Sequence, residues 1–584
     1  MLKRLLPFLA WPRPTADTLK ADLLAGVTVA LVLVPQSMAY ATLAGMPPYY
    51  GLYAAFLPVI VAALWGSSPQ LATGPVAVVA LLTAAALAPL AEAGSGEFIT
   101  LAIALAFMVG VIQLLLGAFR LGTLVNFISH PVIIGFTNAA AIVIVLSQLG
   151  SLLGLSMDRS GSFLLGVLDL LQRVPQAHGP TVLMGLAAIA MMVGCKRWLP
   201  RIPGVLLAVA VLTPVSLWLD FEGMGGAVVG GIPEGLPTLG IPELGVTTVT
   251  TLMTTALVIA LVAFMEAISI AKAIATRTRD RIDPNQELIG QGLGNLVGSF
   301  SSAFPVSGSF SRSAVNYNAG ARTGLSSVIT GLLVALTLLF LTPLLYHLPL
   351  AVLAAIIMMA VLGLVNVKAV RHAWQAKRDD GIAAVVTFSA TLIFAPHLDY
   401  GILLGAGLAI VLYLLRTMKP RVVLLARHPD GTLRDAEYFD LPRSPYIAAV
   451  RFDGDLYFAN VGYFEDAILD ARARHPEARF VLVVANGINQ IDASGEETLH
   501  KLAENLHASG STLVLAGLKL PLQELLERTG LKEVIGDENI YRNERHALAA
   551  IYQRMDVPGF DPARCPLNPE PAGEAGIADS AAER

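Results

Sequence analysis

Two side chains in this sequence demand a chemical reason for where they stand. Arg312 lies in the run Ser307-Gly308-Ser309-Phe310-Ser311-Arg312-Ser313, between long apolar stretches. A guanidinium at that depth in hydrocarbon is costly, so it reads as the countercharge of an anion; the competing reading is a side chain that snorkels to the interface. Glu266, in Phe264-Met265-Glu266-Ala267-Ile268, is the one acidic residue well inside a long apolar helix. A carboxyl buried there favours its protonated form, which makes it a candidate proton carrier, against a fixed structural ion pair.

Around them lie groups that suit an anion site. Gly74 and Pro75 fit the start of a helix that begins partway through the bilayer, since Pro in a first turn loses no needed donor. Ser309 and the serines around it supply caps and hydroxyl donors at a second such start. A half-helix start leaves N–H groups and a positive dipole end in low dielectric, tolerable only beside a polar cavity or an anion. Gln36 and Tyr40, four apart, share a helix face beside Pro35, which frees a backbone carbonyl. His130, Asn138 and Gln148 read instead as interfacial or interhelical hydrogen-bonding residues. Neither of the two cysteines, Cys195 and Cys565, stands in a metal-binding pair, so no metal or cofactor is implied.

Composition says what must position these groups. Of 584 residues, 55% are apolar and 14% charged, and the mean hydropathy is +0.66, which excludes a set of soluble domains, a disordered chain and a nucleic-acid binder. Charge divides the chain: residues 1–421 carry 23 Lys+Arg against 17 Asp+Glu, and residues 422–584 carry 16 against 26. The first part is a membrane body and the second an acidic soluble part. The expected layout is a cytoplasmic lead-in at 1–21 that is not a cleaved signal, a transmembrane domain at 22–421, a linker at 422–446, an α/β domain at 447–560 and a disordered tail at 561–584.

Apolar runs give ten long candidate spans, a bent helix within Gly122–Leu155 and a Gly-rich one at Gln286–Phe300. Two short ones, Gly74–Pro89 and Ser309–Asn318, bring the total to fourteen segments. The basic residues, among them Lys3, Arg13, Arg120, Arg201, Arg281, Arg371 and Arg416, then gather on the side of the termini. The other side holds Arg159, Arg173 and the acidic loop from Asp220 through Glu234 to Glu243, so both termini are expected in the cytoplasm of a multi-pass protein. The first element with its Pro35-Gln36 and the eighth with Glu266, and the two short elements, recur at a similar offset, so two seven-segment halves run inverted in the membrane, as in secondary transporters.

After Ile447, strands are expected at 447–452, 455–460, 480–485 and 512–516, alternating with helices from Tyr463, Ser494 and Leu520. Ser494 with Glu497 three residues on reads as a helix N-cap with a capping box. The region shows no phosphate-binding Gly loop or catalytic constellation, so it reads as regulatory and the chain as no enzyme.

The motifs Val34-Pro35-Gln36-Ser37-Met38-Ala39-Tyr40-Ala41, Pro47-Pro48-Tyr49-Tyr50-Gly51-Leu52-Tyr53, Gly74-Pro75-Val76-Ala77-Val78, Asp283-Pro284-Asn285-Gln286-Glu287-Leu288 and Phe304 to Ser313 resemble the SulP anion transporters, relatives of prestin and pendrin. The resemblance covers nearly the whole chain. It implies a polytopic α-helical protein with fourteen transmembrane segments in a 7+7 inverted repeat of core and gate domains, followed by a cytoplasmic α/β STAS domain. It places Gln36, Tyr40, Val76, Ser311 and Arg312 around the anion and gives Glu266 the coupling-carboxylate position. It implies a homodimer in the lipid of a bacterial inner membrane, with a cytoplasmic regulatory partner at the STAS domain and Ser494 as candidate phosphosite, although Ala493 replaces the Ser often found before it. Val76 stands where prestin-like members often carry an aromatic, and Ile270 where sodium-coupled members tend to carry Thr. The leading expectation is proton-coupled sulfate uptake by alternating access. Bicarbonate or C4-dicarboxylate transport, or a regulatory platform with vestigial transport, are the alternatives.

Overall fold

The computed structural model describes residues 6–12, 15–122, 129–156, 163–199, 203–233, 235–395 and 397–568. Lys3, Arg13, Arg159, Arg201 and Glu234, which entered the sidedness argument, lie outside the described residues, as does the tail from 569. The chain divides into two compact units, Met1–Ile410 and Val411–Arg584.

In the first unit α1 (Ala16–Leu43) opens on Thr15, which exchanges hydrogen bonds with Thr18 in a capping box. The last six residues of the stretch read as a lead-in, 16–21, thus belong to this helix. Then come α2 (Tyr49–Ala54), α3 (Leu57–Trp65), β1 (Thr73–Gly74), α4 (Ala77–Leu87), α5 (Gly96–Ala118), α6 (His130–Ser147) and α7 (Leu149–Leu153). The last two form the expected bent span, broken at Gln148. A short amphipathic α8 (Phe163–Gln172) leads to α9 (Gly179–Trp198) and α10 (Gly204–Trp218), which close the first half.

The second half repeats the plan. α11 (Val246–Thr278) is followed by α12 (Pro284–Ser299), β2 (Ser307–Gly308) and α13 (Phe310–Asn318). α14 (Leu325–Leu336) and α15 (Thr342–Leu345) flank a π-helical turn, and α16 (Leu350–Leu362), α17 (Val367–Ala376), α18 (Arg378–Ile393) and α19 (Leu398–Met418) complete it. Among the described residues eight helices are long and apolar enough to cross a membrane. Among the described residues the shorter and broken helices bring the membrane segments to fourteen, in two inverted halves. α8 and α17 stand outside that count, and α17 buries none of its residues.

Helices α1–α5 and α11–α15 pack into one body, and α6, α7, α9, α10, α16, α18 and α19 surround a second, which meets the first through α16 and α10 on α1 and α6 on α4. The tightest seam in the first body is α5 on α12. Glycines make it: a Cβ on Gly292 would lie 2.5 Å from the Leu114 nitrogen, and one on Gly110 2.5 Å from the Leu296 nitrogen. Small residues at a membrane helix interface let backbones approach this closely.

The second unit is a six-stranded sheet. Its strands are β3 (Arg421–Arg427), β4 (Leu433–Asp435), β5 (Ile447–Asp453), β6 (Phe480–Val484), β7 (Thr512–Ala516) and β8 (Ile540–Tyr541), in the order β4-β3-β5-β6-β7-β8. β3 runs antiparallel to both neighbours and the rest are parallel. α20 (Val461–Ala473), α21 (Ala493–Ala508), α22 (Leu520–Thr529), α23 (Leu531–Ile535) and α24 (Glu544–Arg554) cover its faces.

Four expectations change here. The stretch 422–446 is no linker, because it supplies most of β3 and all of β4. Residues 455–460 form no strand: Asn460 donates to the Asp455 carbonyl at 2.8 Å and accepts from the Tyr457 amide at 3.0 Å, folding the segment into a turn. The region taken as a tail from 561 still packs as far as 568, with Leu567 fully buried and the Pro566 carbonyl accepting from the Arg427 amide. The cap of α21 is Asp492 and not Ser494. One Asp492 oxygen accepts the Gly495 amide at 2.9 Å and the other the Phe458 amide at 2.8 Å, so the carboxylate satisfies two backbone donors where a hydroxyl would serve one.

Candidate functional site

β1 and β2 cross antiparallel, Thr73 opposite Gly308 and Gly74 opposite Ser307. Each strand runs straight into a helix, so α4 and α13 leave the crossing in opposite directions with their N-termini facing each other. Gly308 makes the crossing possible against α11, since a Cβ there would come within 3.1 Å of the Ala267 backbone. The two starts differ. α13 is capped by Ser309, whose hydroxyl accepts from the Arg312 amide at 3.5 Å. α4 begins at Ala77, with Val76 at the cap position and no side chain capping it, so Pro75 precedes the cap instead of occupying the first turn as expected.

Arg312 is fully buried at this crossing. None of its Nε, Nη1 and Nη2 has a hydrogen-bond partner in the protein. An uncompensated buried charge costs several kcal/mol, so these donors are arranged for something other than the protein itself. Gly74 leaves room for the guanidinium: its φ is +144°, and a Cβ would stand 3.2 Å from Nη2. Tyr40 and Glu266 lie near enough to Arg312 to interact electrostatically with it, and neither is hydrogen-bonded to it.

The remaining expected site residues divide. Gln36, Tyr40 and Val76 are buried, and the Gln36 Oε1 has no partner. Glu266 is half-buried, with one carboxylate oxygen buried and unpartnered. Ser311 is exposed together with Phe310, so the outer side of the first turn of α13 meets open space while Arg312 and Ser313 face inward. One of the serines read as donors is committed elsewhere, the Ser307 hydroxyl donating to the Ala263 carbonyl at 2.7 Å; that of Ser313 accepts from the Ala72 amide at 2.9 Å and keeps its own O–H to donate. What converges is one cation, two opposed helix starts and a carboxyl, an arrangement that can hold a small anion and exchange a proton beside it.

Sequence reasoning passed over a row of buried polar side chains on α12. Glu287, Gln291 and Asn295 recur every four residues on one face, and that spacing in an otherwise small and apolar helix was the available signal. Among the described residues no group of His, Cys, Asp and Glu could hold a metal ion.

Ser494 sits in the first turn of α21, partly exposed. Its neighbour Glu497 is paired with Lys501 at N–O 2.6 Å. The ammonium holds that carboxyl below its usual value, and the carboxylate raises the lysine in return.

Comparison with known proteins identifies the family. The sequence model described as the Sulfate permease family matches residues 19–387, and that of the STAS domain matches residues 438–547. Sulfate transporter 4.1, chloroplastic, of Arabidopsis thaliana is 36% identical over 91% of this chain and 80% of its own length. A probable sulfate transporter of Mycobacterium tuberculosis is 34% identical over 92% of this chain and 96% of its own. The structure of murine Solute Carrier 26 family member A9, an anion transporter in the inward-facing state, superposes with a TM-score of 0.87 at 23% identity, covering 94% of each chain, which is a likeness of fold.

Proposed function

The chain belongs to the sulfate permease family, and from that premise we propose that it is a secondary active transporter that takes up sulfate with protons by alternating access. The observation that carries this reading is the fully buried Arg312, its guanidinium donors unpartnered, between two opposed helix starts. A divalent oxyanion offers several acceptor oxygens and two charges. Both helix dipoles and the guanidinium stabilise it, and each unmade donor gains a partner. The names of the plant and mycobacterial relatives support sulfate as the anion.

Glu266 supplies the coupling. Beside Arg312 it repels an incoming anion when ionised and ceases to when protonated, so anion and proton bind together. Ile270, buried and apolar one turn later, offers no oxygen to a sodium ion. Motion of the body that carries the crossing against the body built on α6, α9, α16 and α18 would carry the bound anion from one side to the other.

The protein acts in this reading as a multi-pass homodimer of a bacterial plasma membrane, both termini cytoplasmic, with the STAS domain regulating transport through Ser494 or a bound partner. The test is uptake of labelled sulfate, bicarbonate and a C4-dicarboxylate into proteoliposomes, at imposed pH gradients and with and without sodium. Sulfate accumulation driven by an inward proton gradient and indifferent to sodium supports the proposal. Sodium-dependent uptake, or uptake of bicarbonate in preference to sulfate, contradicts it.

A further inference from the structure

The β1–β2 crossing pairs two residues from each strand, too little to fix the spacing of two helix starts on its own. What fixes it lies behind, on α12. Glu287, Gln291 and Asn295 are each 1% exposed, and all three reach toward the crossing or its approaches. The Glu287 carboxylate accepts from the Ser67 amide at 2.9 Å, the Ser67 hydroxyl at 3.0 Å and the Ser68 amide at 3.1 Å, pinning the segment that leads into β1. Gln291 donates to the Thr73 hydroxyl, in β1 itself, at 2.8 Å. Asn295 donates to the Val306 carbonyl at 3.1 Å and accepts from the Val306 amide at 2.8 Å, gripping the residue before β2 as a strand would. It also donates to the Gln113 Oε1 at 3.0 Å, and Gln113 in turn donates to the Ala260 carbonyl of α11 at 3.1 Å.

We propose that Glu287, Gln291 and Asn295 are positioning residues, a buried clasp that mounts both half-helix starts on α12 and so sets the affinity of the site for its anion. None of them is hydrogen-bonded to the guanidinium; Glu287 acts through Ser67 and Ser68, Gln291 through Thr73 and Asn295 through Val306. The clasp is suited to this because one rigid helix reaches both halves of the inverted repeat, and that helix is seated backbone to backbone on α5 through Gly110 and Gly292. Four donors on Glu287, three from Ser67 and Ser68 on one oxygen and the Gln291 side-chain amide at 3.5 Å on the other, satisfy it without a cation, so the clasp adds no positive charge that would compete with Arg312 for the anion. Loosening one grip lets α4 drift against α13. The donors then lose their common focus, which weakens binding more than it slows the carrier once loaded.

The inference rests on the anion site proposed above, and the experiment separates the two. Sulfate KM and maximal rate are measured in proteoliposomes for the full-length protein and for Thr73→Val, Thr73→Ser, Asn295→Ala and Arg312→Ala, with melting temperatures in parallel. Thr73→Val keeps shape and removes the acceptor that Gln291 uses, so it tests the clasp even if Asn295→Ala does not fold. The expected result is a KM raised roughly tenfold by Thr73→Val, the factor a difference of about 1.4 kcal/mol produces, with the maximal rate little changed. Thr73→Ser, which keeps the hydroxyl, brings KM back toward the wild-type value. A wild-type KM in Thr73→Val, with only the melting temperature lowered and Arg312→Ala inactive, overturns the clasp and leaves the site standing. A wild-type KM in Arg312→Ala overturns both.

Discussion

A single guanidinium organises the anion site proposed here. Arg312 is buried with unmade hydrogen bonds, whereas the Ser307 hydroxyl donates to the Ala263 carbonyl, so in that proposed site the arginine is the recognition element. Glu266 is expected to separate binding from coupling. Glu266→Gln, which stays neutral at every pH, should bind sulfate as the protonated wild type does and lose accumulation driven by a proton gradient, read as uptake at equal and unequal pH. Undiminished proton-driven uptake by the variant would show that another group carries the proton. Gly74 is the second sensitive position. Gly74→Ala forces a side chain onto a φ of +144° and toward Nη2 of Arg312 at 3.2 Å. Strain of about 1–3 kcal/mol at such a backbone should appear as weakened sulfate binding in calorimetry. Wild-type affinity would mean that the guanidinium is not held where Gly74 places it.

At the level of elements, the close seam between α5 and α12 is the part least tolerant of added volume. Gly292→Ala would bring a methyl within 2.5 Å of the Leu114 nitrogen. Overpacking of this kind costs about 1–3 kcal/mol, so a melting temperature several degrees lower is expected in detergent. An unchanged melting temperature would show that the two helices can part without cost. The half-helices were legible in the sequence because segments too short to span carried capping residues and an arginine, and because the two short elements recur at an offset similar to that between Gln36 and Glu266. The polar row on α12 was not read, since the partners of Glu287 and Asn295 lie far along the chain, at Ser67 and Gln113. The cap of α21 was misplaced for a related reason: Asp492 and Ser494 both suit a cap, and the deciding contact, the Phe458 amide, belongs to a different loop. β4 is a three-residue edge strand that carries little pattern, and the apolar run of β3 begins three residues after α19 ends, so it is hard to separate from that helix in sequence.

For the whole molecule, the membrane unit carries the proposed anion site, one cation, two helix starts and a carboxyl, and the sheet unit is the one proposed to regulate it. Phosphate at Ser494, in the first turn of α21, would meet a favourable helix dipole, and the Lys501 partner of Glu497 offsets part of the repulsion from its acidic neighbours. Ser494→Glu is therefore expected to change the rate of sulfate uptake, relative to Ser494→Ala, while leaving sulfate affinity intact; two variants that both transport as wild type would reduce Ser494 to a plain helix residue. The central claim, however, concerns Arg312, and calorimetric titration of sulfate into the purified full-length protein and its Arg312→Ala variant tests it most directly. The account predicts that wild type binds and that the variant, folded by its melting profile, loses about 3 kcal/mol of binding, roughly a hundredfold in affinity. Equal affinity in the two proteins would contradict it.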